Sequence, residues 1–191
     1  MKITKYGKTS RVNGLGDRIL WTYANLAMLF ASMNLNKRKY DRQSFMIRAR
    51  MFKGLRTGTM QVQSMFIDQH FKITTGDICA YCGEKSDNMA LDHILPKSKG
   101  GKDSGDNLIK ACRKCNSSKR DRDMLEWSTD NNIYINPWLL RNYLKLVYEY
   151  AQENNLLDKH HEELDCDKLP FNPDFLPLSL EHPEYYYDVE E

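Results

Sequence analysis

The chain has 191 residues, 41% hydrophobic and 28% charged, a balance ordinary for a soluble globular protein. No apolar run approaches the roughly 20 residues that span a bilayer, and the opening MKITKYGKTS lacks the apolar core of a secretion signal, so a cytosolic protein with reduced thiols is expected. The net charge of +2 hides a gradient of +11 over residues 1–56, +2 over 57–148 and −11 over 149–191, which points to a polyanion such as nucleic acid at the basic end, with solvated helix faces as the plainer alternative.

The pattern predicts a buried helix over 17–34, starting at an Asp17 cap and carrying Ile19, Leu20, Tyr23, Leu26, Ala27, Phe30 and Met33 at helical spacing. A second helix is expected over 37–53 behind an Asn36 cap, with Tyr40, Phe45, Met46, Ala49 and Phe52 on one side, many cations on the other, and Gly54 and Gly58 breaking it. A third is expected over roughly 60–71. From Thr74 the texture changes, and two short apolar bursts, MALDHIL and NLIKAC, read as the strands of a hairpin joined by PKSKGGKDSGD. A short helix should follow over 113–124. Asn136 and Pro137 then open a strongly amphipathic helix, with a short helix at about 156–164 and a tail holding four of the six prolines beyond it.

Four of the five cysteines form two C-x-x-C pairs, Cys79/Cys82 and Cys112/Cys115. In a cytosolic chain two such pairs read as one tetrahedral thiolate zinc site, with independent thiols or a redox pair as the other reading. The 29 residues between the knuckles exceed the usual gap of about 15–20, so an insertion lies between them. A four-thiolate zinc has no open coordination position, so it serves the fold and the chemistry is expected elsewhere. Cys166 stands alone.

The insertion holds Asp92 and His93, with Asn107 at the start of the second strand and Asn116 and Lys119 three residues apart beyond the last knuckle. Oxygen from Asp92 and Asn116 suits Mg²⁺ or a similar hard ion, and two protein ligands leave positions for water and phosphate oxygens.

The run Asp92-His93-Ile94, Pro96, Gly100-Gly101, Asn107-Leu108 and Cys112-x-x-Cys115-Asn116-x-x-Lys119 resembles the HNH nucleases, over about Cys79 to Trp127, a quarter of the chain. Asp at the first ligand position and Asn at the last, where many members have His, resemble a known variant that includes the nuclease lobe of RNA-guided DNA cutters. The resemblance implies an α+β fold, a zinc-stapled ββα-metal core at 74–128. Flanking it are a basic helical region at 1–73, a helical region at 129–165 and an acidic Pro/Tyr-rich tail at 166–191.

It implies a metal-dependent endonuclease hydrolysing DNA phosphodiester bonds, with structural Zn²⁺ and catalytic Mg²⁺ or Mn²⁺. His93 would be the general base, Asp92 and Asn116 the Mg²⁺ ligands, and Asn107 the holder of the loop bearing His93. Lys119 would steady a phosphate oxygen or contact backbone, and Lys97, Lys99, Lys102, Arg113 and Arg120 would ring the site. A bacterial or phage restriction or antiphage-defence nuclease is the leading expectation, with DNA as partner, an ATPase of a defence system as a second one, and no membrane. The alternatives are a non-catalytic zinc module that binds nucleic acid and a mobile-element nuclease. For the acidic tail the readings are solubilising, folding back on the basic arm, and docking on a basic partner.

Overall fold

Residues 19–36 carry no charge, so a helix there has no polar face to give to water and must be buried. In the computed structural model, which describes residues 12–62 and 76–182, helix α1 (Leu15–Asn34) buries fourteen of its 20 residues. Around it run α2 (Arg42–Arg56), β1 (Met89–His93), β2 (Leu108–Cys112), α3 (Arg113–Lys119), α4 (Met124–Asp130) and α5 (Pro137–Glu153). The architecture is α+β, with β1 and β2 forming one antiparallel two-stranded sheet.

A two-stranded hairpin is marginal by itself and needs packing on other elements. One apolar core supplies it. Leu15, Ile19, Leu26 and Leu29 of α1, Ile109 and Ala111 of β2, Leu125 and Trp127 of α4, and Leu140, Tyr143, Leu144 and Val147 of α5 belong to a single buried cluster. The cluster also takes in Leu169, Phe171, Phe175, Leu176 and Leu180. The stretch up to residue 180 is therefore a strap across the core and not a solubilising extension. Arg18, Trp21 and Asn25 of α1 donate to the carbonyls of Leu176 (2.8 Å), Leu178 (2.9 Å) and Leu178 (2.8 Å), satisfying backbone that the prolines keep out of regular structure.

Several boundaries differ from expectation. Helix α1 begins at Leu15, and Asp17 sits in its first turn, accepting from the Asn13 N–H. Asn36 has a φ of 49°, so it ends the turn after α1 instead of opening α2. The cap of α2 is Asp41, whose side chain accepts from the Ser44 N–H at 2.9 Å while the Ser44 hydroxyl accepts from the Asp41 N–H. Gly54 does not break α2. A Cβ there would lie 2.7 Å from the Met60 sulfur, so glycine permits a close crossing inside the helix.

Residues 60–62 are not helical, and the rest of the expected third helix lies outside the described residues. The expected 113–124 helix is instead two, split at Arg120 (φ 53°), because Asp123 caps α4 by accepting from Leu125 and Glu126. The expected 156–164 helix is one 3₁₀ turn at His161–Glu163.

The four cysteines come together at the base of the hairpin. Gly83 (φ 74°) closes the first knuckle, its N–H donating to the Cys79 carbonyl at 2.9 Å. Cys112 ends β2 and caps α3, which puts Cys115 one turn further on. All four sulfurs lie within 4.8 Å of one another, compatible with the edge of about 3.8 Å for a tetrahedron with Zn–S bonds of about 2.3 Å. Burial, a hydrogen bond to Cys112 and the charges of Cys79 and Cys82 push the Cys115 thiol up, so four thiolates stand together only around a cation. Soft sulfur donors in this number fit zinc. Metal analysis should find one zinc per chain, and Cys115→Ser should lose the ion together with several degrees of Tm. A metal-free chain melting like the wild type would remove the staple.

Candidate active site

The hairpin connection, residues 94–107, is long enough to wander, and three devices prevent it. The buried Asn107 side chain accepts from the Leu95 N–H at 2.8 Å and donates to the carbonyls of Leu95 (2.9 Å) and Lys102 (2.8 Å), clamping both sides of the loop. Gly100 takes a φ of 95°, and Gly101 lies so close to the Leu95 carbonyl that a Cβ would be 2.1 Å from its oxygen. From α5, Asn142 donates to the Asp106 carbonyl at 3.0 Å and Lys145 to its carboxylate at 2.8 Å.

Asp92 and His93 are the last two residues of β1, and strand alternation sends Asp92 inward and His93 outward. Asp92 is 7% exposed. One oxygen, Oδ2, accepts from the Tyr81 hydroxyl at 2.6 Å and pairs with the Lys119 ammonium at 3.1 Å. The other, Oδ1, takes no hydrogen bond from any described residue. Burial, reinforced by the Asp92 charge, pushes the Tyr81 phenol well up, so it remains a proton donor. The carboxylate is thus anchored at one oxygen and open at the other.

Lys119 is fully buried. Its ammonium also donates to the His93 carbonyl at 2.8 Å and lies 5.9 Å from the centre of the Tyr81 ring. Of the two roles implied for it, the backbone contact is present in the structure, made by an ammonium that is buried and also paired with Asp92. Burial lowers the Lys119 pKa, and the adjoining Asp92 charge works against that shift. Asn116 lies one turn earlier on the same face of α3, half-buried, its side chain bonded to no described residue. The structure therefore joins Asp92, His93 and Lys119 in one bonded group, while Asn107 bonds the adjoining loop at Leu95 and Lys102 and Asn116 shares the helix that Lys119 fastens to β1.

The His93 imidazole is 26% exposed, and its Nε2 is 3.0 Å from Asp103 Oδ1. Asp103 Oδ2 accepts from Lys97 at 2.6 Å. Lys102 pairs with Glu153, so two of the five cations expected to ring the site are held by carboxylates, while Lys99, Arg113 and Arg120 take no ion pair among the described residues. Sequence reasoning missed Tyr81 and Asp103. Tyr81 had a signal, an aromatic between two knuckle cysteines. Asp103 had none, since only closure of the loop brings it back to a residue ten positions earlier.

Residues 79–122 match the family model described as HNH endonuclease. A curated protein, the CRISPR-associated endonuclease Cas9 of Corynebacterium diphtheriae, is 34% identical over 58 residues, which cover 29% of this chain and 5% of that protein. The chain thus matches only a small part of that relative's length, and no solved structure matches it. With the cysteine cluster and the strand-loop-strand-helix order now in view, these matches give the assignment: the chain carries an HNH endonuclease domain over residues 79–122.

Proposed function

We propose that the chain is a divalent-metal-dependent endonuclease hydrolysing DNA phosphodiester bonds, with Asp92, His93 and Asn116 at its centre. The observation that carries the reading is the state of Asp92, whose Oδ2 is anchored by Tyr81 and Lys119 while Oδ1 takes no hydrogen bond from any described residue, next to His93 in β1 and with the unbonded Asn116 amide on the helix that Lys119 fastens to that strand. Two hard oxygens with room for water and phosphate fit Mg²⁺ or Mn²⁺ and not a second thiolate-bound zinc. Such an ion, held by Asp92 and Asn116, supplies stabilisation of the charge that develops on the phosphate and the leaving 3′-oxygen.

The remaining work falls to the chain. His93 takes the proton of a water molecule as its oxygen attacks phosphorus and the P–O3′ bond breaks, leaving a 5′-phosphate and a 3′-oxyanion that takes a proton from solvent water to become the 3′-hydroxyl. Lys119 acts through others, holding the Asp92 carboxylate and the His93 backbone at fixed positions. Asn107 does the same for the loop.

Outside the domain, Arg38, Lys39, Arg42, Arg50 and Lys53 are exposed on and just before α2 with no ion pair among the described residues. This basic face suits phosphate contacts that are blind to sequence. The Cas9 relative is named CRISPR-associated, and that supports placing the chain among bacterial or phage defence nucleases. An ATPase of such a system is the kind of partner that co-purification would reveal.

Supercoiled plasmid should be nicked in Mg²⁺ or Mn²⁺ and protected by chelator, and His93→Ala should lower the rate by about 10²-fold or more. Nicking that persists in His93→Ala would falsify the assignment of the base, and a wild-type chain that binds plasmid without cutting it would favour the zinc binding module. Lys119→Ala, which strips the partner from a buried carboxylate, should cost about 3 kcal/mol of stability, readable by denaturant melting. Replacing Arg42, Arg50 and Lys53 with Gln should weaken DNA binding and flatten the log-log salt dependence by about 0.9 for each phosphate that is no longer neutralised.

A further inference from the structure

We propose that Asp103 is the positioning residue for His93, accepting the imidazole Nε2–H and so leaving Nδ1 as the nitrogen that receives the proton. The proposal rests on the reading of His93 as the base and names the group that orients it.

The geometry is specific. Asp103 Oδ1 lies 3.0 Å from His93 Nε2 and its Oδ2 lies 2.6 Å from the Lys97 ammonium, so both oxygens are engaged. The Lys97 hydrogen bond, followed by that of His93, holds the Asp103 carboxyl below its ordinary range, which keeps it ionised at neutral pH. An ionised carboxylate only accepts hydrogen bonds. The partner nitrogen must then carry the hydrogen, and a neutral imidazole has one N–H, so the lone pair sits on Nδ1.

Asp103 is more than half exposed, and a surface carboxylate on a free loop would not hold a tautomer. This loop is not free. Asn107 bonds the carbonyl of Lys102, the residue just before Asp103, and also clamps Leu95, two residues beyond His93. The Gly101 N–H donates to the Pro96 carbonyl at 3.0 Å, and α5 holds Asp106 on the other side. Asn107 therefore acts on the base by a traceable route, through the Lys102 carbonyl to the Asp103 side chain. Lys97 contributes by fixing the second carboxylate oxygen, which stops the group from rotating away.

The test uses the full zinc-loaded chain, with wild type, Asp103→Ala and Asp103→Glu compared on supercoiled plasmid in Mg²⁺, and ¹⁵N spectra of the His93 ring recorded without DNA or Mg²⁺. In Asp103→Ala, kcat should fall by about 10- to 100-fold, as when a carboxylate that orients a functional histidine is removed, with KM for plasmid unchanged and zinc content and Tm intact. Asp103→Glu should recover part of kcat. The wild-type ring should show a hydrogen-bonded Nε2–H that Asp103→Ala lacks. A wild-type ring protonated at Nδ1, an Asp103→Ala kcat equal to wild type, or a loss confined to KM each overturns the proposal. The spectra keep the two readings apart, because a chain that cuts no DNA refutes the nuclease reading while the ring still reports whether Asp103 sets the tautomer.

Discussion

A lysine ammonium buried without exposure is tolerable only where its charge and its hydrogen bonds are met inside the protein. Lys119 meets that condition through Asp92 Oδ2 and the His93 carbonyl, and the consequence is mechanical. The end of β1 and the last turn of α3 cannot separate without stranding a charge. Cys112 and Cys115 fix the start of the same helix at the cysteine cluster. Asn116 lies between these two attachments, so its position follows from a metal site at one end and an ion pair at the other.

The two chemistries are joined by Tyr81 as well. It belongs to the first knuckle, packs edge-on against Trp127 of α4 at 5.0 Å, and donates its hydroxyl to Asp92. Trp127 in turn donates its indole N–H to Ser118 of α3 at 3.0 Å. Below this layer Asp123 caps α4 and accepts from Tyr143 of α5 at 2.6 Å, and burial raises its carboxyl to about 6. Apart from the unbonded Oδ1 of Asp92, the side-chain polar groups named here meet a partner, the pattern expected where low dielectric makes unmatched groups costly.

What could be read in the sequence was what is local along the chain. The C-x-x-C spacing, the Asp-His pair, the Asn136 cap and the apolar burst MALDHIL are set by neighbours a few residues away, and each has a counterpart in the structure. Even locally, two residue types that both cap helices were confused at Asn36 and Asp41, and only the positive φ of Asn36 separates them. The rest was non-local. Leu169, Phe171, Phe175, Leu176 and Leu180 follow no period because prolines exclude regular structure, yet α1 offers donors to their carbonyls and apolar surface to their side chains. Asp103 meets His93, and Lys145 meets the loop at Asp106, only through tertiary closure.

The bonds from α5 to the hairpin loop bear on how portable the domain is. Residues 79–122 hold the four cysteines and every residue proposed for chemistry, so by motif alone they form a self-sufficient cassette. Excised, that cassette would forfeit Asn142, Lys145 and the Tyr150 ring packed at 3.2 Å from where a Gly100 Cβ would stand, and its loop would be missing one whole wall. The helices around the domain are thus part of its tooling, and any transplant into another scaffold must bring along a surface shaped like α5.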